Sequence, residues 1–491
     1  MSEENKDIRK EIAVGAAWVT MLRVLYRLIG LVSTVILARL LTPNDFGVAA
    51  IAMSIFALMN AFSKFGFETV IVQHKNPTYE HYSTAWTFNF LFGFFAAATL
   101  ALSSGYIGEF YNNVDITYIA IVISSLFLLD GLKNTGIIDF QKNMDFDKEF
   151  KFYIVPKLIC FFITLALAIY LRNFWALVIG NVILKLLEVV NSYLMHPLRP
   201  RFTFSKGGEL FGFSKWLMVN NFLNFLNDKS PELVLGKIIS PHSAAIYSIS
   251  AEIGQMTTTE IVANLNRAIY PGYSKVSDNL SKLRNLYQDT IKVIALIAFP
   301  LGVGVALVSP YLVPIMLGPQ WLDTIEPIVY LALGGTINAV RSNTNYVYFS
   351  LGKPRISTAE LALKSIIFIS FFAYLIEDGG ALGVAKSFLY TAAIMFFISN
   401  IIVIYVLKIS FMDQIKLYIK PALATIVMFI SVSWTMTNIV IGNMVIDLIL
   451  AVLSGVFSYV ISVGLIWIAT GKQAGVEKQI IGFCVNKLTH R

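Results

Sequence analysis

The chain has 491 residues, of which 56% are hydrophobic and only 14% are charged, and its mean hydropathy is +0.69. A soluble protein carries roughly 25% charged residues, so the composition excludes an ordinary soluble protein and indicates a polytopic membrane protein. The net charge of +8 does not imply a nucleic-acid partner, because basic residues accumulate in the cytosolic loops of membrane proteins.

The apolar stretches predict an all-α fold with about 14 transmembrane helices, since about 20 apolar residues cross a bilayer. Lys and Arg crowd the loops and tails on one side of this arrangement, whereas the loops of the other side keep only Arg39, Arg172 and Lys237. This bias predicts that both termini are cytoplasmic. The predicted spans lie near residues 14–38, 46–72, 84–105, 116–138, 152–171, 174–196, 214–237, 243–266, 291–317, 325–350, 357–377, 381–407, 418–438 and 443–469. The short sequence EDGGA at 377–381 separates the eleventh span from the twelfth.

One stretch, WLMVNNFLNFLNDKSPELVLGKIISP at 216–241, repeats the start of the chain. Sliding it back without gaps aligns Trp216 with Trp18 and Pro241 with Pro43. The repeat predicts two pseudo-symmetric six-helix lobes in parallel orientation, a known transporter plan, plus two extra helices. The predicted domains are an N-terminal lobe at 1–198, a C-terminal lobe at 199–410, and spans thirteen and fourteen with a cytoplasmic tail at 411–491.

The same stretch carries polar side chains that hydrocarbon cannot satisfy. Asn220, Asn224 and Asn227 recur at helical spacing, which predicts that they lie on one face of span seven. Because an unsatisfied polar group is costly in lipid, this face is expected to line a cavity or to meet other helices. Pro231 lacks a backbone donor and predicts a break or kink in the span.

Three carboxylates at membrane depth are candidates for coupling to an ion. Asp228 and Glu232 flank Pro231, and Glu252 lies in the middle of span eight. Carboxylates in such places bind Na⁺ or exchange a proton in transporters. Ion pairing with Lys229 and neighbouring arginines is the alternative, and the sequence leaves both open.

Cations within the spans mark a candidate anion site. Arg23 and Arg27 are one helical turn apart on span one, and Arg27 falls near mid-membrane. An arginine at that depth costs about 3 kcal/mol on insertion scales and normally faces protein or water, while its planar guanidinium fits a phosphate group. A structural ion pair is the alternative. Arg341 on span ten and Lys364 on span eleven add positive charge to the second lobe.

Other charged residues within the spans are interpreted as structural. Lys185 and Glu188 are three residues apart, as are Asp130 and Lys133, so each pair can neutralise itself on one helix.

The inner loop after span eight has amphipathic spacing. Its apolar residues Val276, Leu280, Leu283 and Leu286 predict a helix on the cytosolic membrane surface, with a plain connector between lobes as the alternative.

Signatures of enzymes are absent from the sequence. It has no Walker motif, no GxSxG and no HExxH, so no catalytic residue is predicted. The two cysteines and the five scattered histidines predict neither a disulfide nor a metal site. No cofactor is expected apart from Na⁺ or a proton as a coupling ion.

Five segments carry a resemblance to a known family: ILARLLTPNDFGVAAIA at 36–52, LVLGKIISPHSAAIYSIS at 233–250, AIYPGYSKV at 268–276, PIMLGPQW at 314–321 and SLGKP at 350–354. They resemble the bacterial Wzx-type polysaccharide flippases of the multidrug/oligosaccharidyl-lipid/polysaccharide (MOP) exporter superfamily. The resemblance extends beyond residue 400, and ARLLTPNDFG is its part most specific for the polysaccharide branch.

That resemblance implies a V-shaped transporter of two lobes in the bacterial cytoplasmic (inner) membrane. It would move undecaprenyl-diphosphate-linked oligosaccharide from the cytosolic to the periplasmic leaflet by alternating access, among membrane lipids and beside the polysaccharide polymerase and chain-length machinery. By analogy with the peptidoglycan-precursor flippase, bases of the first span hold the diphosphate. Arg27 is the best match, with Arg23 beside it.

Two other functions remain open. A cation-coupled multidrug exporter of the same superfamily is expected to have an acidic cavity, whereas bases outnumber acids within the predicted spans. A membrane polysaccharide polymerase or ligase generally works on a sizeable periplasmic loop, and the longest outer loop, GYIGEFYNNVD at 105–115, is short and has no Lys or Arg.

Overall fold

The structure is a computed structural model that describes residues 3–63, 66–74 and 76–470. The predicted cytoplasmic tail at 471–491 lies outside the described residues. Every regular element of the described chain is helical, as the sequence predicts, and 3₁₀ turns at Thr135–Ile137 and Pro319–Thr324 join some of the helices. The α-helices are α1 (Glu3–Leu40), α2 (Pro43–Ser63), α3 (Phe67–Gln73), α4 (Tyr79–Tyr111), α5 (Val114–Leu132), α6 (Ile138–Lys142), α7 (Phe146–Leu171), α8 (Trp175–Met195), α9 (Gly207–Asp228), α10 (Ser230–Ile238), α11 (Pro241–Val276), α12 (Leu280–Met316), α13 (Ile325–Ser350), α14 (Pro354–Leu407), α15 (Phe411–Asn438) and α16 (Met444–Ala469).

The chain divides into two compact units between Ala245 and Ile246. In the first unit α1 packs on α7, α4 packs on α5, and α7 packs on α8. In the second unit α13 packs on α12 and α14, while α15 and α16 pack on each other and on α12. The predicted lobe boundaries at residues 198 and 410 describe the sequence repeat and stay a prediction.

Eleven helical segments of the described chain are long and apolar enough to cross a membrane. They correspond to predicted spans one to six, nine, and eleven to fourteen. A polytopic α-helical membrane protein is therefore confirmed, although the count of fourteen is not. Predicted spans seven, eight and ten lie on α9, α10, α11 and α13, whose sequences are richer in polar residues.

α14 contains two spans joined by a tight turn. Its 54 residues would extend about 80 Å as one straight helix, far beyond a hydrocarbon core of about 30 Å. Gly380 has φ 51° and ψ −130°, a backbone conformation suited to glycine. The turn brings Gly383 against the backbone oxygen of Leu375. The sequence expectation that EDGGA separates two spans is confirmed.

Predicted span seven is broken, as Pro231 predicts. α9 ends at Asp228 and α10 begins at Ser230, with Lys229 at φ −121° and ψ −21° between them. Pro231 occupies the first turn of α10, where its missing N–H has no helical acceptor to lose. The break therefore follows from the local backbone chemistry.

The predicted surface helix after span eight is wrong. Val276 is the last residue of α11, and α12 begins at Leu280 and continues to Met316, so Leu280, Leu283 and Leu286 form the first turns of a long helix. Leu283 is fully buried and packs in a core with Tyr273 and Tyr287. The amphipathic spacing of this segment marks an apolar face that is covered by protein. Periodicity alone does not distinguish such a face from one that is covered by lipid.

We expect Gly383→Val to destabilise the turn within α14. A Cβ at this position would lie 2.0 Å from the backbone oxygen of Leu375, so the two segments must separate, at a cost of at least 1–3 kcal/mol estimated from overpacked cores. Thermal unfolding of the purified protein in detergent should show a lowered midpoint. Gly304→Ala on α12 is the control, because nothing lies within 4 Å of its added Cβ. An unchanged midpoint for Gly383→Val would contradict the turn geometry.

Candidate functional site

α1 carries the two arginines of the predicted anion site. Arg23 and Arg27 are both half-buried. The Nε of Arg27 is buried, and within the described residues it has no hydrogen-bond acceptor. Between them, the ring of Tyr26 forms a cation–π contact with Lys157 of α7, whose Nζ lies 4.8 Å from the ring centroid. α1 therefore places a guanidinium with unused hydrogen-bonding capacity inside a membrane-spanning helix.

The polar face predicted on span seven is split by the structure. Asn224 and Asp228, one turn apart on α9, are exposed, and Asn220 is half-exposed on the same helix. Asn227 is instead buried and donates from Nδ2 to the backbone oxygen of Leu223 over 2.7 Å. Asn220 and Asn224 therefore present amide groups at the surface of α9, whereas Asn227 contributes to the packing of its own helix.

Glu232 is one of the most buried acids of the first unit. Ser54 of α2 donates to its Oε2 over 2.5 Å, and Nζ of Lys229 lies 2.7 Å from its Oε1. These contacts favour the structural alternative, in which Glu232 is neutralised by Lys229 and ties α10 to α2. Its assignment as an ion-coupling residue stays a prediction.

In the second unit, Arg341 forms an ion pair. Its Nη1 lies 3.3 Å from Oε2 of Glu360, which is almost fully buried. Tyr348 donates to Oε1 of the same carboxylate over 3.0 Å, and Ser399 donates to its Oε2 over 2.8 Å. Glu360 thus joins α13 to both spans of α14. Sequence reasoning missed Glu360 because its partners come from distant parts of the chain.

The remaining two predicted residues of the second unit are Lys364 and Glu252. Both are half-buried, Lys364 on the first span of α14 and Glu252 near the start of α11. Their predicted roles, in the cavity and in ion coupling respectively, stay predictions.

The first unit contains a charged network that links three helices. Nζ of Lys185 on α8 lies 2.8 Å from Oδ1 of Asp130 on α5 and 3.1 Å from Oε2 of Glu188. Nζ of Lys133, the residue that follows the last residue of α5, lies 3.7 Å from Oε1 of Glu68 on α3. The pairing of Lys185 with Glu188 confirms the sequence interpretation, but Asp130 and Lys133 find partners on other helices.

A cavity of about 340 Å³ adjoins this network within the first unit. Its lining mixes amide, hydroxyl and charged side chains, so it suits water or a polar ligand rather than a lipid tail. The presence of acids and bases within two apolar spans was the feature of the sequence that could have indicated this cavity. The polar residues of its lining include Asn60, Glu68, Asn89, Asp130, Lys133 and Tyr153.

Two histidines come together at one end of the first unit, so the prediction that all five are scattered is wrong. The rings of His74 and His81 have centroids 4.5 Å apart, and Glu209 lies 3.1 Å from Nε2 of His81 and 3.9 Å from Nε2 of His74. The backbone N–H of Thr78 donates to Nδ1 of His81 over 3.1 Å.

These hydrogen bonds do not fit a metal ion at this place. Because Nδ1 of His81 accepts a hydrogen bond from the backbone N–H of Thr78, the neutral ring carries its proton on Nε2 and donates a hydrogen bond from there to Glu209. A metal would need the lone pair on that nitrogen. The hydrogen bond from Lys206, and then that from His81, holds the pKa of Glu209 below its usual range.

These spans, with charged groups held inside them, define a multi-pass membrane protein built on a transporter fold. Residues 36–326 match the family model described as "Polysaccharide biosynthesis protein". The match spans more than half of the chain, and the chain belongs to this family.

Curated relatives extend the match over most of the chain. The lipopolysaccharide biosynthesis protein WzxC of Escherichia coli is 25% identical over 407 residues, covering 81% of this chain and 82% of the relative. The teichuronic acid biosynthesis protein TuaB of Bacillus subtilis is 22% identical over 427 residues, covering 86% and 88%. The succinoglycan biosynthesis transport protein ExoT of Rhizobium meliloti is 20% identical and covers 62% of each chain.

Solved structures show the same fold. The lipid II flippase MurJ in an inward closed conformation has a TM-score of 0.72 at 14% identity and covers 92% of this chain and 98% of its own. An inward-facing multidrug resistance transporter of the MATE family, within the MOP superfamily, has a TM-score of 0.59 at 12% identity and covers 79% and 99%. At 12–14% identity these likenesses show the fold alone, which this chain shares with transporters of the MOP superfamily.

We expect the ion pair between Arg341 and Glu360 to stabilise the second unit. Removing one partner of a buried pair costs roughly 3–5 kcal/mol, because the other charge stays buried. Arg341→Met should therefore lower the thermal unfolding midpoint in detergent strongly, and the double variant Arg341→Met/Glu360→Gln should recover much of the loss. Arg355→Met, at an exposed arginine, serves as the control. Full stability of Arg341→Met alone would contradict a structural role.

Proposed function

We propose that this protein is a flippase that moves undecaprenyl-diphosphate-linked oligosaccharide repeat units from the cytoplasmic to the periplasmic leaflet of the bacterial inner membrane. The family membership and the names of three relatives, which make or transport surface polysaccharides, support a role in polysaccharide biosynthesis. The fold shared with a lipid II flippase supports transport of a lipid-linked precursor.

The observation that carries the proposal is the state of Arg27. Its Nε is buried and lacks a hydrogen-bond acceptor within the described residues. A buried donor without an acceptor is costly, and a diphosphate supplies several strong acceptors to a planar guanidinium. Arg23, one turn away, adds a second positive charge on α1. We assign these two arginines to the diphosphate.

The sugar part of the substrate needs hydroxyl-binding groups. The exposed Asn224 and the half-exposed Asn220 of α9 offer amide donors and acceptors on one helix. Lys364 is a further candidate, whereas Arg341 is already held by Glu360. We assign sugar contacts to Asn220 and Asn224 before Arg341 and Lys364.

Transport by alternating access needs an energy source, and we propose coupling to Na⁺ or a proton. Glu252, in the middle of predicted span eight, and Asp228 and Glu232, which flank Pro231, are the candidates. Lys229 and Ser54 bind the two oxygens of Glu232, so this residue would have to exchange those partners to take up an ion. Both termini are proposed to be cytoplasmic, and the polysaccharide polymerase and chain-length machinery are proposed as partners.

A multidrug exporter is the second candidate, because MATE-family transporters share the fold. Such a protein would bind lipophilic cations, for which the positive charge of Arg27, whose Nε has no acceptor within the described residues, is unfavourable. A membrane polymerase or ligase fits less well, since the chain shares its fold with a lipid II flippase and multidrug transporters.

We expect Arg27→Ala to reduce flipping at least tenfold, since a lost charge-assisted hydrogen bond is worth about 1.5 kcal/mol or more. The measurement is leaflet-resolved labelling of the lipid-linked oligosaccharide in cells that express the variant. The intact unit should accumulate on the cytosolic face, and Arg27→Lys should retain partial activity. Arg355→Ala, at an exposed arginine, is the matched control.

Two outcomes would contradict this assignment. Wild-type flipping by Arg27→Ala would remove the arginine from the anion site. If cells without the protein still deliver single units to the periplasm but do not join them, the flippase reading fails and a polymerase becomes the better proposal.

We expect Glu252→Gln to weaken the dependence of flipping on the ion gradient, because the amide neither binds a proton at neutral pH nor carries a charge for Na⁺. Flipping in proteoliposomes should be compared with and without a proton or Na⁺ gradient. Glu377→Gln, at an exposed acid of the same unit, is the control. An unchanged gradient dependence in Glu252→Gln would reassign Glu252 to a structural role.

A further inference from the structure

An extended segment at 197–206, PLRPRFTFSK, joins α8 to α9 and lies along the side of α4. We call this segment the strap. Its backbone is held by the hydroxyl groups of buried residues on α4, which take the place of a neighbouring strand. The contacts run from Arg201 N to Ser83 Oγ (3.4 Å), from Thr203 N to Thr87 Oγ1 (3.0 Å) and from Lys206 N to Thr84 Oγ1 (3.4 Å).

The strap presents two exposed phenylalanines. Phe202 and Phe204 alternate with polar residues and are 62% and 60% exposed. The ring centroid of Phe202 lies 5.0 Å from that of Trp86 and 5.5 Å from that of Phe90, and the ring centroid of Phe204 lies 5.6 Å from that of Phe88. Phe202 therefore extends the aromatic surface that Trp86 and Phe90 form on α4, whereas Phe204 packs on a side of the helix about 200° away.

That surface of α4 is apolar along its whole length. Every fourth residue from Trp86 to Phe110 is apolar or aromatic, and Phe94, Leu102 and Tyr106 on this stripe are exposed. A stripe without polar groups is suited to lipid and unsuited to a water-filled path.

The length of the stripe places the strap at a definite depth. Trp86 and Tyr106 are 20 residues apart, or about 30 Å along a helix, which equals the thickness of the hydrocarbon core. Aromatic rings such as that of Tyr106 prefer the membrane–water interface. Trp86, and with it Phe202, then lies at the opposite interface, on the side that the basic loops predict to be cytosolic.

The two arginines of the strap have different surroundings. Arg199 donates to the backbone oxygens of Tyr193, His196 and Leu198, so its charge caps the end of α8. Arg201 is exposed, and its guanidinium has no ion pair or hydrogen bond within the described residues. The nearby cation Lys206 is bound to Glu209 over 2.9 Å. Arg201 is thus left as a cation available for binding beside two exposed aromatic rings.

We propose that the strap is an interfacial binding site for anionic phospholipid headgroups of the cytosolic leaflet. Phe202 and Phe204 lie at the boundary between headgroups and acyl chains, and the guanidinium of Arg201 binds the lipid phosphate. One available guanidinium matches a single phosphodiester better than a diphosphate. The site is separate from α1 and does not depend on the flippase proposal, since lipid binding is measured without transport.

The experiment is thermal unfolding of the purified full-length protein in detergent with increasing dioleoylphosphatidylglycerol or dioleoylphosphatidylcholine. The anionic lipid should raise the midpoint of the wild type more than the zwitterionic lipid does. Arg201→Gln should weaken the response to the anionic lipid about fivefold, which corresponds to the roughly 1 kcal/mol of one basic residue at an anionic surface. Arg201→Lys should retain most of the response.

Two further variants separate the roles of charge and aromatic rings. Phe202→Ala/Phe204→Ala should weaken the response to both lipids equally. Arg355→Gln, at an exposed arginine of the second unit, should respond as the wild type does. Since every variant is compared with its own midpoint in the absence of lipid, a loss of stability alone does not imitate a loss of binding.

Three results would overturn the proposal. Arg201→Gln with a wild-type preference for the anionic lipid would exclude the arginine as the headgroup ligand. If farnesyl diphosphate stabilises the protein in a way that depends on Arg201, and the anionic phospholipid does not stabilise it, the ligand of the strap would be a polyprenyl diphosphate. A change of oligomeric state in Phe202→Ala/Phe204→Ala would show that another copy of the chain covers the strap.

Discussion

A charge inside an apolar span must find its partner within the protein, because hydrocarbon offers none. Glu360 shows how far this requirement shapes the second unit. Its carboxylate takes a guanidinium and a phenol from α13 and a hydroxyl from the second span of α14. One carboxylate therefore fixes the relative positions of three helical segments. In the first unit Lys185 has the same effect on α5 and α8.

The comparison of Arg27 with Arg341 separates structure from function. Both are arginines in predicted spans, and the sequence gives no reason to treat them differently. In the described chain the Nε of each arginine is buried without a hydrogen-bond acceptor, and the difference is that Arg341 forms an ion pair with Glu360 whereas Arg27 forms no ion pair within the described residues. A residue whose charge is already compensated stabilises the fold, and one whose charge is not compensated is suited to a ligand. This difference favours α1 over α13 as the helix that carries the candidate anion site.

The features that the sequence predicts are those with a local cause. Apolar length predicts most of the spans, Pro231 predicts the break between α9 and α10, and EDGGA predicts the turn within α14. Features that depend on contacts between two distant segments cannot be predicted from the local sequence. The pairing of Lys185 with Asp130 is an example, because spacing along one helix reports only neighbours on that helix. The burial of Leu283 is another, since periodicity locates an apolar face without showing what covers it.

The turn at Gly380 also bears on how the chain enters the membrane. The segment between the two spans of α14 is too short to be delivered across the bilayer as an independent loop, and its charged residues are acidic. Basic residues lie instead at both outer ends, with Lys353 and Arg355 before the first span and Lys408 after the second. Positive charge at both ends holds them on one side of the membrane. The two spans must then insert together as a preformed hairpin, which makes α14 a single unit of biogenesis.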